Sequence, residues 1–292
     1  TIITYRTGLR ISEILKLKLN DIEKSKMQWT YIRENEFGNV KNYSSLRKVP
    51  LQILLTSHEL EIINNYLMRK KALVSYQFNK LVFTESGYPD NLLEKEKVSG
   101  LVKSILFEIT GLNFVFHDLR HTALSKLQII LENNETLIRN LTGYSEKEVS
   151  EIQRFFLGEI NTTKKDKYWA ISGLAGHITP ETTFTHYLHF NDVIVGDKLK
   201  ASKRLLSLNS IINISGLSSR ILAREINKHI IDNDSIPINI LSDLLIRKIK
   251  PLTNQIQQTT IKKPFKIIQS KNKGINFETY WSILNDAENG VQ

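Results

Sequence analysis

Residues 117–122 read HDLRHT, so two histidines, an aspartate and an arginine fall within six positions. On a helix, His117, Arg120 and His121 stand at i, i+3 and i+4 and share one face. The two histidines have the spacing of half a zinc helix, but the glutamate of the HExxH pattern is absent. The arginine on the same face favours a phosphate over a metal ion, because a guanidinium repels a cation and its planar fork matches two phosphate oxygens.

A second stretch with related chemistry follows at residues 175–189, AGHITPETTFTHYLH. It contains three more histidines and adds Tyr187. The two stretches together predict either a set of metal ligands or a phosphate-handling site divided between distant parts of the chain.

The composition is that of a globular protein with an anionic partner. A chain of 292 residues that is 41% hydrophobic and 24% charged can bury one sizeable core and a second, smaller unit. The net charge of +10 indicates either simple solubility or binding to nucleic acid. Residues 203–292 hold 13 basic and 7 acidic residues, so the last third is the more basic part.

The absence of cysteine and of long apolar runs narrows the setting. Without cysteine there is no disulfide and no thiolate metal site, which fits a reducing compartment. No apolar run approaches the roughly 18 residues that a membrane span needs, and the first ten residues lack the apolar block of a signal peptide. We therefore expect a cytoplasmic protein. Thr1 is no natural start, so we also expect the chain to begin inside a longer protein with a missing N-terminal domain.

Hydrophobic periodicity predicts a mainly α chain with a small antiparallel β-sheet, an α+β fold. Helices are predicted at residues 11–22, 58–73, 98–110, 117–131 and 145–157. Strands are predicted in residues 27–34, 46–51 and 81–83. Further helices are predicted at residues 215–232 and 240–249, as a helix-turn-helix or a plain helical appendage.

Four motifs now carry a resemblance to a known family. They are TGLRISEIL at residues 7–15, KNYSSLRKVP at residues 41–50, and the two stretches at residues 117–122 and 175–189. In this order and rough spacing they resemble the tyrosine recombinases, the phage-integrase family of site-specific DNA recombinases. The resemblance covers roughly residues 1–200, and it implies the recombinase catalytic fold.

The resemblance implies a site-specific recombinase or integrase of a mobile element. Such an enzyme cuts and rejoins DNA through a 3′-phosphotyrosine intermediate, with no metal and no other cofactor. The implied partner is double-stranded DNA, bound by a homo-oligomer that forms a tetramer on the DNA, with no membrane partner. Two alternatives stay open, a catalytically inactive DNA-binding protein with the same fold and a type IB topoisomerase or hairpin-forming resolvase.

The first three motifs supply candidates for binding the phosphate and moving protons. Arg10 and Arg120 resemble the two clamp arginines of the family, and Glu13, one turn after Arg10, would orient it. His117 matches the family histidine that takes part in proton transfer. Lys41 is the candidate general acid for the leaving 5′-oxygen.

The choice of Lys41 rests on its place in the motif. The family has a lysine in a hairpin, followed at fixed spacing by a serine, an arginine and Val-Pro. Lys48 lies nearby and is the competing candidate.

The last motif supplies the nucleophile. Tyr187 resembles the tyrosine of the TTxxxYxH ending, and His177 matches the histidine that hydrogen-bonds the phosphate. Tyr144 and Tyr168 are competing tyrosines without the YxH context.

Two departures from the family pattern set the predicted domain boundaries. Arg120 and His177 are 57 residues apart, which predicts an insertion at about residues 132–167. We therefore predict a catalytic domain over residues 1–202, including this insertion. Residues 203–292 are predicted to be a basic, mostly helical C-terminal extension.

Overall fold

The computed structural model describes residues 1–73, 79–85, 88, 91–158, 166–201, 205–207, 210, 220 and 235–237. By its internal contacts the chain divides into two units, Thr1–Phe190 and Asn191–Gln292. Every candidate site residue belongs to the first unit. The domain boundary at residue 202 stays a prediction.

The first unit is built mainly of α-helices with one small antiparallel sheet, so the predicted fold class is confirmed. In chain order the helices are α1 (Ile2–Thr7), α2 (Ile11–Leu15), α3 (Leu51–Leu54), α4 (Ser57–Leu73), α5 (Lys95–Thr110), α6 (Phe116–Leu131), α7 (Glu135–Leu137), α8 (Glu146–Leu157), α9 (Asp166–Ala175) and α10 (Pro180–Tyr187). Two 3₁₀ turns, Leu19–Asp21 and Tyr43–Ser45, and one π-helical turn, Ile138–Thr142, lie between them.

Helix α6 lies at the centre of this unit. The Asp118 carboxylate accepts the backbone N–H of Val115 at 2.7 Å, which caps the start of the helix. Its apolar face is fully buried and packs against α1, α8 and α9. Because neighbours surround α6, Arg120 on this helix is carried into the core.

The sheet consists of β1 (Trp29–Ile32) and β2 (Arg47–Pro50), paired antiparallel. Two of the three predicted strands are thereby confirmed. The third, at residues 81–83, was wrong, because Leu81 makes only an isolated bridge with Lys18. A segment that pairs with its neighbour at a single residue does not form a strand.

The same pairing shortens the first predicted helix. Helix α2 ends at Leu15 rather than at residue 22. The carbonyl of Leu17 accepts the N–H of Val82 at 2.8 Å, and the N–H of Leu19 donates to the carbonyl of Lys80 at 2.9 Å. These backbone groups are therefore not available to a longer helix.

Part of the predicted insertion contributes to the core. Helix α8 confirms the helix predicted at residues 145–157. Ser145 and Glu148 cap its start reciprocally, and Val149 and Ile152 are buried. Whether residues 132–167 are an insertion relative to the family stays a prediction.

In the second unit the structure describes α11 (Asn191–Ala201) and an antiparallel pair of short strands, β3 (Leu205–Ser207) and β4 (Ser235–Pro237). The strand pair was not expected in an extension predicted to be mostly helical. The helices predicted at residues 215–232 and 240–249 lie outside the described residues, apart from residue 220. Within the described part of the chain, no helix has the length and apolar character needed to span a membrane.

Candidate active site

Arg120 lies at the centre of the candidate site and is only 1% exposed. Its Nη1 donates to the carbonyl of Gly8, and its Nη2 donates to the carbonyl of Ala175 at 2.6 Å. The Nε atom is buried and has no hydrogen-bond partner among the described residues. Arg120 therefore joins the turn before α2 to the turn after α9, and its Nε–H remains unused.

The turn before α2 brings Arg10 to this centre. Gly8 ends α1 in the left-handed conformation, with φ 70°. A Cβ atom at this position would lie 3.3 Å from Cδ2 of Leu124, so the turn also needs a small residue to approach α6. Arg10 follows as the N-terminal cap residue of α2.

Glu13 binds two arginines. It accepts from Nη1 of Arg10 at 2.8 Å and from Nη1 and Nη2 of Arg47, both at 2.9 Å. Burial raises the pKa of Glu13, but the hydrogen bonds from Arg47 and then Arg10 outweigh it and hold the pKa at about 2. The carboxylate is therefore ionised at neutral pH. Sequence reasoning predicted the contact with Arg10 and assigned no role to Arg47.

Arg47 also anchors the turn that carries His177. Its Nε donates to the carbonyl of Leu174 at 2.7 Å. Gly176 in this turn has φ 68°, and a Cβ atom there would lie 2.9 Å from Nη1 of Arg47 and 3.2 Å from Cα of Ser45. The glycine of the AGH sequence thus allows the close approach of the hairpin.

The structure separates the two candidate lysines. Lys41 is exposed and lines the clefts on both sides of Tyr187. Lys48 stands over the ring of Tyr31 on the opposite strand, with Nζ 4.8 Å from the ring centroid. Lys41 is therefore the lysine that reaches the candidate site.

His177 lies between Arg120 and helix α10. Its Nε2 is 3.0 Å from Nη2 of Arg120, and its Nδ1 is 2.8 Å from Oγ1 of Thr183. Burial, followed by the charges of Arg120 and Arg10, lowers the pKa of His177 to about 3. The imidazole is therefore neutral at neutral pH.

Tyr187 is the last residue of α10 and its ring lies against the same groups. The ring centroid is 5.1 Å from Cζ of Arg120 and 4.8 Å from the His177 ring. The rings of His117 and His121 lie 5.6 Å and 4.7 Å away. The structure thus brings Tyr187 next to three of the other candidates despite their distance in sequence.

Ser125 holds this tyrosine segment against α6. Its Oγ donates to the carbonyl of Tyr187 at 2.8 Å and accepts the backbone N–H of His189 at 3.2 Å. Sequence reasoning missed Ser125. The available signal was a lone serine on the apolar face of α6, where a buried hydroxyl needs partners.

Both competing tyrosines are engaged in the core. The hydroxyl of Tyr144 donates to the carbonyl of Leu54, and burial raises the pKa of Tyr144. Tyr168 is 2% exposed, and its hydroxyl donates to Glu132 at 2.7 Å. Tyr187, by contrast, lines open clefts.

The remaining histidines form a cluster beside Tyr187. Nδ1 of His121 lies 2.9 Å from Nε2 of His189, and the rings of His117 and His121 are 4.8 Å apart. Burial, followed by the charge of Arg120, lowers the pKa of His117, and burial together with His117 lowers the pKa of His121 to about 4. Among the described residues no group of three or more histidines and carboxylates could hold a metal ion.

Two clefts meet at Tyr187. The first, of about 420 Å³, is lined among others by Arg10, Lys41, Lys95, Ser99, His117, Arg120 and Tyr187. The second, of about 290 Å³, is lined by Arg10, Lys41, Asn42, His177, Ile178, Thr182, His186 and Tyr187. Each of the six predicted catalytic residues therefore lines at least one cleft. Lys95 and Ser99, at the start of α5, were not predicted.

Comparison with known proteins gives the family. The crystal structure of XerA recombinase is similar, with 15% identity, a TM-score of 0.43 and coverage of 68% of this chain and 55% of that chain. The chain thus spans just over half the length of that recombinase, and no curated protein matches it. The model of the phage integrase family matches residues 1–149 of the 292 residues, a range that ends before His177. The chain belongs to the phage integrase family, the tyrosine recombinases.

Proposed function

We propose that the protein is a site-specific DNA recombinase that cuts and rejoins double-stranded DNA through a 3′-phosphotyrosine intermediate. The observation that carries this proposal is the buried Arg120, whose Nε has no partner among the described residues, beside a cleft that Arg10 and Tyr187 also line. Burial and then the charge of Arg10 lower the pKa of Arg120 to about 10. A phosphate between the guanidiniums of Arg10 and Arg120 would accept a hydrogen bond from this Nε–H and relieve the repulsion between the two positive charges.

The cleavage step assigns one role to each group. The Tyr187 oxygen forms a bond to phosphorus, the bond from phosphorus to the 5′-oxygen breaks, and the 3′-phosphate stays on the tyrosine. Neutral His117 takes the phenol proton, and Lys41 gives a proton to the leaving 5′-oxygen. Rejoining is the reverse step, because the phosphotyrosine keeps the bond energy.

The two arginines act on the transition state. Negative charge grows on the nonbridging oxygens as the tyrosine attacks, and Arg10 and Arg120 are placed to stabilise it. Glu13 holds Arg10 in position. The hydrogen bond between His177 and the phosphate that the resemblance implies stays a prediction, and it would have to replace the contact of Nε2 of His177 with Nη2 of Arg120.

Tyr187 lies beside Arg120 of the same chain, which supports cleavage in cis. We propose that the enzyme acts in the cytoplasm as a homo-oligomer, a tetramer on DNA. Mixing Tyr187→Phe and Arg120→Lys proteins tests the cis arrangement. No mixture should regain cleavage if each chain uses its own tyrosine, whereas recovery would mean exchange between chains.

Trapping of the covalent intermediate tests the activity. We would incubate the full-length protein with nicked suicide substrates tiled across the DNA that flanks its gene, because loss of the short fragment prevents rejoining. The wild type should form a denaturant-resistant adduct at a 3′-phosphate. Tyr187→Phe should bind the same DNA and form none, while Tyr144→Phe and Tyr168→Phe should still form it.

The outcomes separate the alternatives. An adduct that persists in Tyr187→Phe would remove the nucleophile assignment. Sequence-specific binding with no adduct in any variant would identify a catalytically inactive DNA-binding protein. Relaxation of supercoiled DNA without any defined site would indicate a type IB topoisomerase.

A further inference from the structure

A chain of hydrogen bonds runs from the core to Nδ1 of His177. Oγ of Ser172 lies 2.9 Å from the carbonyl oxygen of Thr179 and 2.7 Å from Oγ1 of Thr183. Oγ1 of Thr183 lies 2.8 Å from Nδ1 of His177. Ser172 and Thr183 are 0% and 1% exposed, so their hydroxyls are shielded from solvent.

The carbonyl at the end of the chain determines where each hydrogen lies. A carbonyl only accepts, so the hydroxyl hydrogen of Ser172 points to Thr179. With that hydrogen used, Oγ of Ser172 accepts from the hydroxyl of Thr183. Thr183 can then only accept from His177, and Nδ1 of the imidazole must carry a hydrogen.

The other ring nitrogen leads to the same assignment. Nη2 of Arg120 can only donate, so Nε2 of His177 accepts from it. A neutral imidazole carries one hydrogen, and the pKa of about 3 that burial and the neighbouring cations give His177 keeps it neutral at neutral pH. Both sides of the ring therefore require the Nδ1–H tautomer.

We propose that Thr183 and Ser172 are positioning residues that hold His177 in the Nδ1–H tautomer, so that its Nε2 lone pair fixes Arg120. In the other tautomer two donors, Nε2–H and the guanidinium N–H, would face each other. The effect on catalysis rests on the proposed function. There, a guanidinium that is fixed before DNA binds needs little reorganisation in the transition state.

Helix α10 carries three threonines, and they differ in burial. Thr183 is buried, whereas Thr182 and Thr185 are exposed. Thr185→Val is therefore the matched control for Thr183→Val, since it removes a hydroxyl from the same helix without touching the chain of hydrogen bonds. Thr183→Ser keeps the hydroxyl and serves as the rescue variant.

NMR of the DNA-free protein labelled with ¹⁵N-histidine tests the tautomer directly. Loss of signals in His177→Gln assigns the residue, and two-bond ¹H–¹⁵N spectra show which nitrogen is protonated. The wild type, Thr183→Ser and Thr185→Val should show Nδ1–H. Thr183→Val should shift the population towards Nε2–H, because Nδ1–H loses its acceptor. Ser172→Ala should do the same, because the hydroxyl of Thr183 then becomes able to donate to Nδ1.

Adduct formation provides the second measurement. Thr183→Val and Ser172→Ala should slow it by roughly 10- to 100-fold, by analogy with the range for loss of a partner that orients a metal-bound histidine. DNA affinity should stay unchanged, and Thr183→Ser should recover the rate. If the wild type forms no adduct, the proposed function fails and the NMR result still decides the tautomer.

A wild-type His177 protonated at Nε2 would overturn the inference. An unchanged tautomer in both Thr183→Val and Ser172→Ala would overturn it as well. Cooperative urea unfolding checks that each variant folds. If Thr183→Val does not fold, the tautomer of His177 in Ser172→Ala, compared with that in Thr183→Ser, decides whether the hydroxyl chain sets it.

Discussion

Arg47 and Glu13 form a bidentate ion pair in which Nη1 meets Oε1 and Nη2 meets Oε2, each at 2.9 Å. Both side chains are less than 10% exposed. The pair joins strand β2 to helix α2. It therefore fixes the hairpin that carries Lys41 beside helix α2, whose N-terminal cap residue is Arg10.

Removal of Arg47 should strongly destabilise the protein. Arg47→Ala leaves the buried Glu13 carboxylate with Arg10 as its remaining ion-pair partner, which should cost about 3–5 kcal/mol in the free energy of unfolding. Lys97→Ala is the control, because Lys97 and Glu94 are 65% and 62% exposed in their ion pair and such exposed pairs contribute little to the free energy of unfolding. Urea unfolding measures both. Equal losses in the two variants would contradict the structural role of the bidentate pair.

Two glycines of the same region should respond to alanine with opposite sign. Gly176→Ala places a methyl group 2.9 Å from Nη1 of Arg47 at a positive φ, so the free energy of unfolding should fall by about 1 kcal/mol or more. Gly173→Ala lies within α9 with no atom within 4 Å of the new Cβ, and should stabilise by up to about 1 kcal/mol. Thermal unfolding should thus separate the two variants. A stable Gly176→Ala protein would argue against the close approach of the hairpin.

Loss of a clamp arginine should slow chemistry more than binding. Arg10→Ala should lower the rate of adduct formation by about 10² or more, because a preorganised charge-stabilising donor is lost. Its affinity for DNA should change far less, since one phosphate contact of many is removed. Lys97→Ala again serves as the control and should cut normally. A normal cleavage rate in Arg10→Ala would show that Arg10 does not stabilise the transition state together with Arg120.

Replacing the leaving 5′-oxygen by sulfur tests Lys41. Lys41→Ala should be severely slow on ordinary DNA and close to wild type on a substrate with a 5′-bridging sulfur, because a thiolate leaves without protonation. The sulfur substrate should restore the cleavage rate of Arg120→Lys much less, because the negative charge on the nonbridging oxygens still needs stabilisation. The single-turnover cleavage rate is the measurement. If the sulfur substrate restored the cleavage rate of Lys48→Ala and not that of Lys41→Ala, the general acid would be Lys48.

Stability should fall on acidification well above the range in which carboxylates usually titrate. His117, His121, His177 and His189 all have lowered pKa values, chiefly because they are partly buried. The unfolded chain takes up protons on these residues below about pH 6.5, while the folded protein does not, so the free energy of unfolding decreases as the pH falls from 7 to 5. Glu13, with its pKa of about 2, adds a further loss below about pH 4.5.

Urea unfolding at a series of pH values measures this dependence. His177→Asn should show a shallower decline between pH 7 and 5, because one of the protonating residues is removed. A free energy of unfolding that stays constant or rises across this interval would contradict the lowered pKa values of the histidines.

Local pattern was enough to predict the long helices and the hairpin, because periodicity and turn residues act within a few positions. It missed the early end of α2 at Leu15, which depends on backbone hydrogen bonds to residues 80–82. It also missed α10, although Pro180 at the first turn and the preceding Thr179 are ordinary helix-start signals.

For the candidate site, motif resemblance gave six of the residues that line the clefts. The groups that hold them were not predictable in the same way. Ser125 contacts Tyr187 and His189, which are 62 and 64 residues away in sequence, and Thr183 and Ser172 meet across the turn between α9 and α10. The sequence can mark a serine as buried on an apolar helix face, but it does not show which groups its hydroxyl binds.

Arg120 depends on parts of the chain made at very different times. Gly8, whose carbonyl accepts from Arg120, is synthesised long before Ala175, His177 and Tyr187. On the proposed function, a chain interrupted before residue 187 carries both arginines and no nucleophile, and Arg120 lacks the groups that hold it. On the same proposal, a chain can break DNA only after residue 187 has been made, so an incomplete chain should leave the genome uncut.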